Sequence, residues 1–225
     1  MPMLMIDTAA NLCAACVYDA NGAQVLASVT RDIGIGHAEH LIEVVEEALT
    51  NAQLSYAQLT GLGAVVGPGS FTGVRVGVST VRGLAVSLKL PAQGVTTLDG
   101  LAYEARQHRP GHPVLAVIDA RRGQFYCASF HENGMVMEEP AVLDLEATVA
   151  RAAKTGLTLT GSGIQTLNDY IPDAVLAGSE ATASIVTYAH LVAAKPMSLE
   201  KPKPLYLRDA DAKPQVGFRL PGREG

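Results

Sequence analysis

The residues best suited to chemistry stand at the ends of two apolar runs. Met3-Leu4-Met5-Ile6 ends in Asp7, and Val114 to Ile118 ends in Asp119. An aspartate at a strand end can open a phosphate-holding turn if bare backbone N–H groups follow it. Here the turns read Asp7-Thr8-Ala9-Ala10-Asn11 and Asp119-Ala120-Arg121-Arg122-Gly123. The first has no glycine and the second has its glycine displaced. A Cβ disfavours both close backbone approach and positive φ. Thr160-Gly161-Ser162-Gly163 is the one candidate for a third, late glycine loop. Both aspartates therefore read as structural residues that cap loops. The nucleotide site reads as degenerate, and no catalytic, cofactor-binding or metal-binding residue is assigned.

Other reactive residues give weaker signals. Gly67-Pro68-Gly69-Ser70-Phe71-Thr72-Gly73-Val74-Arg75-Val76-Gly77 leaves a strand and enters a helix. It lacks the Lys-Ser/Thr pair of a phosphate loop, and Ser70 lacks a nucleophile elbow; Ser70 or Thr72 reads as the helix cap. His37 and His40 sit at a helix start without a third metal ligand. Cys13 and Cys16 lie on a strand three positions apart, which sends them to opposite faces, so they read as buried hydrophobes. Arg121 and Arg122 read as a solvated turn.

The elements that position these residues follow from periodicity. Strands are predicted at Leu4–Asp7, Cys13–Tyr18, Gln24–Val29, Leu62–Val66 and Ala92–Val95, with helices at His37–Ala52, Thr72–Leu88 and Leu98–Gln107. Arg109 to Pro113 reads as a linker. The order then repeats. Strands are predicted at Val114–Ile118, Gln124–Phe130, Met135–Met137, Leu157–Thr160 and Ala174–Leu176. Helices are predicted at Leu145–Ala153, Ile164–Tyr170 and Ala181–Ala194. The expectation is a duplicated βββαβαβα chain in two lobes, the α/β architecture of the actin-like fold. Residues 1–108 form the first lobe; 109–225 form a reduced second lobe and a proline-rich tail carrying Pro202, Pro204, Pro214 and Pro221.

Two helices show more apolar surface than one sheet contact needs. On 37–52, Leu41, Val44 and Ala48 form one row, and Ala38, Ile42, Val45 and Leu49 the next. On 72–88, Val74, Val78, Val81, Ala85 and Leu88 seat the helix, while Val76, Thr80, Gly83 and Ser87 form a second, small-residue stripe. The expected partner interface is Ile42, Val45, Leu49, Val76, Thr80 and Gly83.

The 225-residue chain has a formal net charge of −5, 48% hydrophobic and 17% charged residues. It is folded rather than disordered, and it offers no overall basic field for nucleic acid. Three cysteines without a secretory signal or a membrane span point to the cytoplasm.

Several strings in order resemble the TsaB (YeaZ) family. They are Ile6-Asp7-Thr8-Ala9, His37-Ala38-Glu39, Gly67 to Gly77, Ile118 to Tyr126, and Pro204-Leu205-Tyr206-Leu207-Arg208. The second histidine, His40, departs from the usual family pattern. The resemblance implies the actin-like fold and a scaffold subunit that is not itself an enzyme. Its partners would be a TsaD-like catalytic subunit and a TsaE-like ATPase, in the complex that forms threonylcarbamoyladenosine beside the tRNA anticodon. A homodimer through the same surface is also implied, with tRNA met only through the complex. The pairing surface implied by the family maps to the first two helices, which adds His37, Leu41, Phe71, Thr72, Arg75 and Ser79 to the six residues above. Two other readings remain at this stage: an ATP-dependent kinase or carbamoyltransferase of the same fold, and a peptidase acting on its partner.

Overall fold

A computed structural model describes residues 1–154, 156–196 and 200–208; Pro214 and Pro221 lie outside the described residues. The first half runs β1 (Pro2–Asp7), β2 (Leu12–Asp19), β3 (Gln24–Asp32), α1 (His37–Asn51), β4 (Gly61–Val65), α2 (Phe71–Leu88), β5 (Ala92–Val95) and α3 (Thr97–His108). The second half runs β6 (Val114–Asp119), β7 (Gln124–Phe130), β8 (Val136–Asp144), α4 (Leu145–Ala152), β9 (Thr158–Thr160), α5 (Ile164–Leu167), β10 (Val175–Gly178) and α6 (Ile185–Ala193). The sheets are ordered β3-β2-β1-β4-β5 and β10-β9-β6-β7-β8, the same order read from opposite edges. In each, an antiparallel meander of three strands continues into two parallel strands through helical crossovers. This is the duplicated, two-lobed actin-like α/β fold.

Local chemistry sets the boundaries. The Ser70 hydroxyl accepts from the Gly73 N–H at 3.2 Å and caps α2. Thr96 and Asp99 close a reciprocal capping box on α3. Ser184 caps α6, so that helix starts at Ile185, four residues after Ala181 and a turn later than its apolar pattern suggests. α5 stops at Leu167, and β8 runs well beyond Met137 to Asp144.

Both faces of the first sheet are covered. α1 and α2 lie on one side, with α1 on β2 and β3 and α2 on β4; α6 returns from the end of the chain to cover the other. α3 does the reverse and packs on β6 and β9 of the second sheet. Packing therefore crosses the expected boundary at residue 108. Strand β1 is buried along Met3 to Asp7 as a consequence. The exchange is pinned by Glu104 on α3, which accepts from Ser184 N–H at 2.8 Å and the Thr187 hydroxyl at 2.7 Å.

Candidate interaction site and the closed first turn

The turn after β1 is sealed by the chain itself. Asp7, Thr8 and Ala9 are each about 1% exposed. One oxygen of Asp7 accepts from Ala9 N–H at 2.8 Å, the other from the Thr182 hydroxyl at 2.7 Å. Thr182 also lies 2.8 Å from the Tyr188 hydroxyl, which accepts from Ala183 N–H at 3.0 Å. Burial pushes the Asp7 carboxyl up to about 6, against the opposing pull of these hydrogen bonds.

The start of α2 sits directly on that turn. Ser70 N–H donates to Ala9 carbonyl at 2.7 Å, and the Thr8 hydroxyl donates to Gly73 carbonyl at 2.7 Å. A Cβ on Gly69 would lie 2.2 Å from the Ala9 carbonyl oxygen, and one on Gly73 would lie 2.1 Å from that of Thr8. Only glycine permits backbones this close. The Gly-rich segment is thus packed against the very turn that would have to receive a phosphate. Ser70 is engaged as a cap.

The duplicate turn after β6 differs. Asp119 is exposed; its carboxylate accepts from Arg121 N–H at 2.7 Å and its own N–H donates to Ser162 Oγ at 3.1 Å. Arg121 and Arg122 both take positive φ and are exposed. Arg208 reaches this turn, donating to the Arg121 carbonyl at 3.3 Å and to Gln124.

Of the twelve interface residues expected from sequence, four prove to be interior. Leu41, Val45 and Leu49 are 0–4% exposed and His37 is 6%. Val45 and Leu49 of the second apolar row of α1 are used within the monomer because the helix packs on β2, β3 and α2. Each such side chain contributes about 1.5–3 kcal/mol on burial. His37 Nε2–H donates to Leu12 carbonyl at 3.1 Å, so it is a structural residue. Ile42, at 49% exposure, is left on the outside of α1.

The remaining residues form an open face on α2. Phe71, Thr72, Arg75, Ser79 and Gly83 are exposed, and Val76 and Thr80 half-exposed. Val86 extends this apolar surface at 61%. The two faces of α2 differ: Gly73, Gly77 and Val78 are buried, while nothing lies within 4 Å of a Cβ built on Gly83.

Residues 200–208 add a component that periodicity had not revealed. Leu205 N–H donates to Val66 carbonyl at 2.8 Å. The Tyr206 hydroxyl accepts from Arg75 Nε–H at 2.8 Å, and its ring lies 5.8 Å from that of Phe71. The Arg75 guanidinium lies 3.7 Å over the Phe71 ring. Between this strap and α2 runs an open groove of about 570 Å³.

Among the described residues no group of three His, Cys, Asp or Glu gathers as a metal site. Nor is any described helix long and apolar enough to cross a membrane.

The sequence is 32% identical to the Escherichia coli "tRNA threonylcarbamoyladenosine biosynthesis protein TsaB", across the full length of both chains. The chain belongs to the TsaB (YeaZ) family. The TsaB of Bacillus subtilis is 35% identical over 44% of this chain and 43% of its own. The family model of TsaD, tRNA N6-adenosine threonylcarbamoyltransferase, matches residues 31–168. The structure of YeaZ from Pseudomonas aeruginosa superposes with a TM-score of 0.72 at 25% identity, covering 85% of this chain and 91% of that one. A second P. aeruginosa structure, described as similar to the peptidase YeaZ, gives 0.76 at 26% identity over 92% and 99%.

Proposed function

We propose that this TsaB-family chain is a non-catalytic subunit in the formation of threonylcarbamoyladenosine in tRNA. It docks a TsaD-like catalytic subunit through the outer face of α2, with Ile42 of α1 beside it. A TsaE-like ATPase joins the complex, and tRNA is met only through it, in the cytoplasm. The same face serves a homodimer when the partner is absent.

One observation carries the reading. The start of α2 closes the first-lobe turn with its buried face while its outer face keeps Phe71, Thr72, Val76 and Thr80 accessible. A catalytic nucleotide lobe needs the opposite arrangement, with an open turn and free N–H groups. The net charge of −5 also fits a subunit that does not grip RNA alone.

The test is reconstitution. The chain is mixed with a TsaD-like subunit, a TsaE-like ATPase, tRNA, threonine, bicarbonate and ATP, and the modified nucleoside is measured. Val76→Arg is expected to stay folded, fail to copurify with the TsaD-like subunit and lose modification. Val45→Glu is expected to unfold the monomer, since Val45 is fully buried. A folded Val76→Arg that still copurifies and supports modification would refute the docking face.

A further inference from the structure

The groove between α2 and the strap has a chemistry of its own. One wall is α2, presenting Phe71, Val76 and Ser79; the other includes Pro204. Two cations flank it. Arg75 donates through Nε to Tyr206, and Arg82 donates to the Pro202 carbonyl at 3.4 Å. Neither meets a carboxylate among the described residues. A guanidinium has five N–H donors, so most of the capacity of both arginines is unmet by the described residues. They are seven residues apart on one helix, about 10.5 Å along its axis.

We propose that this groove receives an apolar ridge flanked by carboxylates on the partner subunit, and that residues 202–208 are part of the docking surface. The proposal rests on the docking reading above and refines it. Buried or half-buried cations at an interface select for opposite charge, because a like charge or an unpaired one costs affinity. A protein is favoured over RNA by two features. The lining is largely apolar with only two cations. The ring of Phe71, which could otherwise stack a base, is already covered by Arg75 at 3.7 Å. Tyr206 acts as a positioning residue: its hydroxyl fixes Arg75, and its neighbour Leu205 ties the strap to Val66. Arg208 of the strap donates to the Arg121 carbonyl, so the docking groove is connected to the turn after β6 in the second lobe.

The experiment titrates the full chain with the TsaD-like subunit by calorimetry at about 0.05 M and about 0.5 M salt. The affinity of the unaltered chain is expected to fall with salt. Arg75→Glu combined with Arg82→Glu is expected to weaken it at least about tenfold and to abolish the salt dependence. Tyr206→Phe is expected to weaken binding with an unchanged melting temperature, which a purely structural role would not produce. A double reversal that binds as tightly as the unaltered chain overturns the proposal; if Val76→Arg nevertheless fails to bind, the docking face stands and only the groove's chemistry falls. An unaltered chain that does not bind at all brings down both. Light scattering and a gel shift on the chain alone complete the test. Arginine-dependent self-association with normal heterodimer formation would make the occupant a second copy, and arginine-dependent tRNA binding would make it RNA; either result overturns the assignment.

Discussion

The carboxyl of Asp7 and the hydroxyl of Thr182, 175 positions apart in the sequence, meet at 2.7 Å in the interior. The contact joins the end of β1 to the residues that precede α6, the helix that crosses back onto the first sheet. It holds a carboxyl where a phosphate-binding lobe would need an open, solvated turn.

Asp7 makes stability depend on pH in a defined direction. The native state holds its proton up to about pH 6, against an ordinary value of 3.8. Between those values the native state binds more protons than the unfolded chain, so stability falls as pH rises through that window and stays lower above it. Asp7→Asn removes the ionisation. Urea unfolding at several pH values is expected to show the parent losing at most about 3 kcal/mol relative to the variant across this window. A parent whose stability rises from pH 4 to 6 more steeply than the variant's contradicts this account of Asp7.

The two faces of α2 predict opposite responses to the same substitution. Gly73→Ala forces a Cβ against the Thr8 carbonyl and is expected to destabilise the fold by about 3 kcal/mol. Gly83→Ala meets open space on an exposed helix position and is expected to stabilise it by about 1 kcal/mol. Thermal melts of the two variants decide it; equal effects would remove the division of labour between the faces.

Much of this was legible in advance, for reasons specific to each element. β1 and β6 read clearly because continuous apolar runs mark strands covered on both faces. Asn21 and Gly22 marked the β2–β3 connection. The extent of β8 was hidden by Glu138, Glu139 and Pro140. It is a sheet edge, and Glu138 there accepts from Ser129 and pairs with Lys154 and Arg151. The breadth of α1's apolar arc was visible in the sequence, but not that Val45 and Leu49 are buried within the monomer while Ile42 stays exposed. Periodicity counts apolar positions but does not say which of them the monomer itself will cover. Tyr206 stood in a string that resembles the family, but neither its contact with Arg75 nor that of Thr182 with Asp7 could be read, since each joins residues more than a hundred positions apart.

The cysteines should be inert. Cys13 and Cys16 are buried on β2, and burial pushes their thiols up to about 11 and about 12; that of Cys127 rises to about 11. At pH 8 almost no thiolate exists to react. A thiol reagent is expected to modify none of the three in the native protein and all three after unfolding. Rapid native labelling of Cys13 or Cys16 would contradict their placement.

The most direct measurement is a calorimetric titration of the purified chain with MgATP. With Asp7 bound to Thr182 and the start of α2 seated on Thr8 and Ala9, no saturable heat is expected. Micromolar binding that disappears in Asp7→Asn would show the first turn open to nucleotide, and would contradict the assignment of this chain as a docking subunit.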